Sequence, residues 1–193
     1  MAGKNLSPEG HAMKFFKYAV ACQLLSVTLS ITAAEPPYIS NELSPVMLQG
    51  SGKLTFFGFH IYDAVFYRSS KTPSTDFALD LRYQKSLLGT SIANRAADEM
   101  KKIGVPDAQA SLWGKEMAGF LPNVEPGQSL TAVYSAKQGT TFMYEGKKIA
   151  QVPGAEFAKA FFGIWFDQKT SAPKLRVELL GQGCPPPVLG EGC

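Results

Sequence analysis

Residues 57–67 leave little choice but a buried strand. Aromatic and β-branched residues fill both alternating sets, with Phe57, Phe59, Ile61, Val65 and Tyr67 on one and Phe56, His60, Tyr62, Ala64 and Phe66 on the other. A strand apolar on both faces belongs inside a sheet that is covered twice. Val46 to Phe57 reads as a preceding strand, with a bulge or tight bend at Gly50-Ser51-Gly52. Ser69 to Thr75 is a loop. Phe77, Leu79, Leu81 and Tyr83 then alternate with Asp80, Arg82 and Gln84, as in a strand with one wet face.

The period next changes from two to that of a helix. Ile92, Ala96, Met100 and Ile103 recur at helical spacing, and Gly104 is a natural stop. Pro106-Asp107 opens a second helix with Asp107 as its N-cap and a stripe of Leu112, Trp113, Met117, Phe120 and Leu121. Three short strands follow, Ser129 to Ala136, Thr140 to Tyr144 and Lys147 to Val152, joined by turns at Gln138-Gly139 and Glu145-Gly146. Glu156 to Phe166 is a strongly apolar helix, and a last helix of about Ala172 to Leu180 stops at Gly181. Strands, two helices, strands and two helices argue for an α+β fold, an antiparallel sheet carrying a helical layer.

Composition narrows the function. The chain has 193 residues, 45% hydrophobic and 18% charged, which suits one globular domain once its start is trimmed. Net charge is +3 without a long like-charge block, so nucleic-acid binding by a basic face is not expected. Two His and three scattered Cys leave no metal site, and no cofactor is expected. There is no GxxxxGK[ST] loop, HExxH or GxSxG elbow. Gly50-x-Gly52 is a weak glycine signal with no helix after it.

Residues 13–34 read as a signal peptide. Lys14 and Lys17 precede an apolar run from Tyr18 to Ile31, and Thr32-Ala33-Ala34 offers small residues for cleavage near Ala34. The run is too short for a transmembrane helix, so no stable membrane span is expected in the mature form. Residues 1–12 are then a leader or a mis-called start, and the mature protein is expected in the periplasm. Cleavage removes Lys4, Lys14, Lys17 and Glu9, so little net charge remains. Residues 35–45 read as a polar, Pro-punctuated linker, 46–182 as the folded domain and 183–193 as a Pro/Gly/Cys tail. In an exported chain Cys184 and Cys193 could pair in a disulfide that tidies the tail without a core role; two free thiols are the alternative.

Several segments, in order, resemble the chalcone isomerase-like proteins of bacteria. They are Gly50-Ser51-Gly52-Lys53-Leu54, Ile61 to Tyr67, Phe77 to Tyr83, Asp98-Glu99-Met100, Pro122 to Gly127, Phe161 to Trp165 and Ser171 to Arg176. The resemblance covers about Val46 to Gln182. It implies a chalcone isomerase-like open-faced antiparallel β-sheet covered by a layer of α-helices, with a cleft between. It also implies a reaction, in which a substrate phenolate attacks an enone and charge moves onto the ketone oxygen. That needs a cation and oxyanion donors. The family supplies an Arg after a Gly-x-Gly turn, a Thr on the next strand, and a Tyr and an Asn around the first helix. Here those places fall at Lys53 or Leu54, Tyr62, Leu88 and Arg95, so the catalytic set is not retained.

What survives is a cleft with Lys53, Tyr62 and Arg95 as candidate ligand-binding residues. It suits a small apolar or amphipathic ligand such as a fatty acid. Some plant members of the fold hold a fatty-acid carboxylate with an Arg–Tyr pair. The plain alternatives are a solvated turn lysine, a core tyrosine with a satisfied hydroxyl and a solvent-facing helix arginine. His60 is a tempting acid or base but reads as a packed residue. Asp63, across the strand from it, reads as half of a salt bridge with Lys or Arg. Two other functions stay open: an isomerase (intramolecular lyase) on an enone or phenolic substrate, and a structural or partner-binding protein whose cleft is filled.

Overall fold

The computed structural model describes residues 1–3, 36–71 and 75–189. It opens with a short helix, α1 (Pro37–Glu42). Six strands follow the period-two segments: β1 (Val46–Phe56), β2 (Phe59–Ser69), β3 (Phe77–Tyr83), β4 (Ser129–Ser135), β5 (Gly139–Tyr144) and β6 (Lys147–Val152). They form one antiparallel sheet in chain order. Helices α2 (Gly89–Lys102) and α3 (Asp107–Ala118) interrupt it between β3 and β4; α4 (Ala155–Phe166) and α5 (Pro173–Leu180) close the domain. The α2–α3 excursion leaves and returns at one place, because Leu87 and Val124 exchange backbone hydrogen bonds of 3.0 and 2.9 Å.

Alternation decides what each face buries. Phe66, Phe77 and Leu79 point toward the helices and pack with Phe162 and Phe166 of α4. Ring centroids there lie 4.5 Å apart for Phe66–Phe166 and 4.6 Å for Phe77–Phe162. Such tilted pairs add about 0.5–1.5 kcal/mol each beyond their buried area. Gly50 and Gly52 are required where α5 crosses β1: a Cβ on Gly50 would collide with the carbonyls of Glu178 and Leu179. The expected bulge lies beside them, between Leu48 and Gly50.

The structure corrects several local expectations. Of the expected 35–45 linker, the described residues 36–45 pack on the sheet. Ile39 of α1 and Leu43, which caps it, are buried against Tyr67, Ala78, Val133 and Met143 on the other face of the sheet. The tail is no appendage either. A 3-10 turn at Pro187–Leu189 buries Leu189 in the main core, and Arg68 Nη2 donates to the Cys184 carbonyl at 2.6 Å. Cys184 is disulfide-bonded; Cys193, like Cys22, lies outside the described residues. So do residues 4–12, the expected signal peptide at 13–34 and its cleavage point.

Phe57 ends neither strand. With Gly58 it forms a two-residue turn at φ 47 and φ 80, the geometry that matches strand twist in a tight hairpin. In α3, Asp107 is the first helical residue, not the cap, and Leu112 is exposed.

Candidate functional site

Between the helical layer and one end of the sheet lies a cavity of about 610 Å³. Its floor is the helix-facing side of the strands, including Leu54, Tyr62, Leu81, Tyr83, Leu130 and Phe142. Phe161, Ile164 and Trp165 of α4 and Ile92, Arg95 and Ala96 of α2 complete the walls.

Tyr62 is placed by register, since it pairs with Leu54 on β1 and Tyr83 on β3. Its hydroxyl accepts a hydrogen bond of 2.9 Å from Trp165 Nε1. That leaves the phenolic proton for an acceptor in the cavity, and none is supplied by the described residues. Burial pushes this phenol well above its ordinary pKa, with the Trp165 bond opposing, so it stays a donor at any ordinary pH. Tyr83 lies edge-on to it at 5.6 Å, and burial raises its pKa as well.

Arg95 stands at the mouth. Its Nη2 lies 2.6 Å from Glu99 Oε1, and its guanidinium sits 5.1 Å from the ring centre of Phe56. Glu99 is the hub. Its side chain is 6% exposed; Lys102 Nζ donates to Oε1 at 2.9 Å and Ser171 Oγ donates to Oε2 at 2.6 Å. Burial alone would raise its pKa. The Ser171 and Lys102 hydrogen bonds and the charges of Arg95 and Lys102 outweigh it and hold the carboxyl below its ordinary value. Two cations share one carboxylate, so the mouth keeps one net positive charge.

Of the three candidates, the structure brings Tyr62 and Arg95 to one cavity and leaves Lys53 out. Strand alternation turns Leu54 inward and Lys53 outward, where it is exposed in a shallow groove with Asp63 and Glu178. His60 is also outside. The register shift between Leu54 and Thr55 leaves Ile61 as an extra residue, so His60 and Asp63 share a face after all. His60 Nε2 lies 2.9 Å from Asp63 Oδ1, a close approach without hydrogen-bond geometry, and no Lys or Arg salt bridge to Asp63 is found among the described residues. Gln84 Nε2 donates to Asp63 at 2.8 Å.

Glu99, Lys102 and Ser171 were missed as site residues. A signal existed for Glu99. It falls on the apolar stripe of Ile92, Ala96 and Ile103, with Arg95 four residues before and Lys102 three after. A charged residue on a buried stripe needs partners, and these spacings supply them. No group of three or more metal-ligating side chains occurs among the described residues.

Comparisons with known proteins agree with this architecture. The crystal structure of an Arabidopsis thaliana fatty-acid binding protein superposes with a TM-score of 0.57, covering 77% of this chain and 92% of that one at 10% identity. At that identity the likeness speaks for the fold. A Haemophilus influenzae protein described only as uncharacterized is 25% identical over 136 residues, 69% of this chain and 67% of its own. Residues 34–181 match the chalcone isomerase-like family over most of the chain. With its open antiparallel sheet, helical layer and the cavity between them, this chain belongs to the chalcone isomerase-like family.

Proposed function

We propose that this protein binds an elongated apolar ligand with an anionic head, of the fatty-acid class, in the periplasm and without chemical turnover. The observation that carries the reading is the cavity itself: about 610 Å³, walled by Leu, Ile, Phe and Trp side chains, with Arg95, Lys102 and the Tyr62 hydroxyl among its donors. That volume and polarity are typical of small-molecule sites. The head group would take the spare positive charge at the mouth and the free Tyr62 proton, while the tail displaces water from the apolar wall. The fatty-acid binding protein of the same fold supports the ligand class. A non-catalytic role is supported by the places where the family's catalytic set falls: Lys53 lies outside the cavity, and Leu54 and Leu88 carry no side-chain donor. The apolar run after Lys14 and Lys17 and the disulfide at Cys184 support export to an oxidising compartment.

Lipid extraction and native mass spectrometry of the purified protein test this. A co-purified amphiphile released by fatty-acid competition is expected. A clean protein that also ignores fatty acids in titration ends the reading. Mass measurement of periplasmic protein should give an N-terminus near Glu35.

A second reading, an intramolecular lyase on an enone or phenolic substrate, is favoured by one observation: a guanidinium and a phenol line the same hollow. Turnover of a chalcone that disappears in Tyr62→Phe would establish it. A cleft plugged by side chains, the basis for a purely structural role, is not present at Tyr62.

A further inference from the structure

We propose that the tip of the β1–β2 hairpin is a docking surface for an anionic lipid bilayer, set beside the cavity mouth. Phe56, Phe57 and Phe59 are 46%, 86% and 62% exposed there. The fold has no evident use for Phe57. Its ring meets that of its neighbour Phe56 at 4.4 Å and otherwise faces solvent. Its backbone stands at φ 47, where a bulky aromatic is an outlier and Asn or Gly the ordinary occupant. An apolar ring kept there against backbone preference suits something outside the molecule.

Two cations say what that is. Lys85 Nζ lies 5.5 Å from the Phe59 ring centre, and the Arg95 guanidinium lies over Phe56. Rings with cations against them match the headgroup zone of a bilayer, where aromatics settle and basic groups meet phosphate. Leu88, in the same connection as Lys85, is exposed as well. The tip is also continuous with the ligand path, because Thr55, Phe56 and Ile61 line the cavity. Docked, the mouth opens at the lipid surface. The docking itself does not depend on the ligand reading, since it is measured without added ligand.

The test is flotation of the protein, as recovered from cells, with vesicles of mixed phosphatidylethanolamine and phosphatidylglycerol, and separately with phosphatidylcholine. Association with the mixed vesicles is expected. The double variant Phe57→Asn with Phe59→Thr should reduce it roughly tenfold. Neither substitution touches the core, and Asn suits the turn, so an unchanged thermal melt verifies folding. Lys85→Gln should weaken association with the mixed vesicles and not with phosphatidylcholine. No association of the unaltered protein, equal association of the double variant, or equal association with phosphatidylcholine would overturn the proposal. So would a dimer that the double variant dissociates, which would assign the tip to a second copy.

Discussion

Phe161 and Phe162 are neighbours on α4, yet they serve opposite ends of the helix-covered face. Phe162 seats in a solid block with Phe66, Phe77 and Phe166, to which Tyr134 adds its ring. Phe161 borders the hollow, where Tyr62, Tyr83 and Trp165 set polar atoms among the phenylalanines and the edge is charged. Close packing leaves a block no room for a guest. A hollow forgoes those contacts and keeps its polar atoms within reach of one. The difference teaches that stability and binding are separated along one helix, and each can be perturbed without the other.

The largest effect should come from the block. Phe162→Ala is expected to lower stability by about 3–5 kcal/mol in denaturant unfolding, while the folded fraction keeps its ligand affinity. An equal loss of affinity would break the comparison. At the hollow the pattern inverts. Arg95→Gln should weaken fatty-acid binding by roughly tenfold to a hundredfold in a titration, through loss of a charged donor. Its guanidinium is half exposed and the buried Glu99 carboxylate keeps Lys102 and Ser171, so stability should move by about 1 kcal/mol or less.

Acid should sharpen the contrast between the two faces of the sheet. Glu99 is held below its ordinary value, so the folded state binds that proton more weakly than the unfolded chain. Its contribution is complete above the usual carboxylate range and is lost as pH falls through the lower folded-state value. Asp80, on the α1 face, behaves oppositely. Burial raises its pKa despite hydrogen bonds from Thr131 at 2.6 Å and Tyr38 at 3.3 Å. Its favourable contribution is present at low pH and lost as pH rises through the folded-state value. Unfolding across a pH series should therefore show a shallower acid limb in Glu99→Gln and a gain at neutral pH in Asp80→Asn. The smallest effect belongs to Lys53→Ala, which should leave affinity and stability within about 0.5 kcal/mol. A measurable loss of affinity would return Lys53 to the site.

Most of the architecture was legible because each element carries its own period. Phe77 to Tyr83 alternates, Ile92 to Ile103 recurs by turns, and Gly104 and Gly181 end helices at positive φ. The errors arose where one residue changes parity or where a short segment gains its structure from a partner. The extra Ile61 moves His60 to the side of Asp63, and no local pattern announces it. Leu54 and Lys53 sit on opposite faces, so choosing between them needed the register with Tyr62. At α1, Ile39 and the capping Leu43 are too few to mark an amphipathic helix; the Tyr67 and Val133 surface gives them a reason to fold. Tyr62 and Arg95 could be named from the resemblance, but their meeting in one chamber is a property of the tertiary structure.

The bridge at Leu87 and Val124 closes the α2–α3 excursion at its stem, and beyond it the pair is held by side-chain packing and the Glu99–Ser171 bond, with no further strand pairing among the described residues. Arg95, Glu99 and Lys102 all ride on α2. Lengthening, shortening or retilting the pair would therefore resize the chamber and exchange its head-group chemistry without altering any strand pairing. Tail length and head preference can diverge between relatives while the six-stranded platform stays as it is.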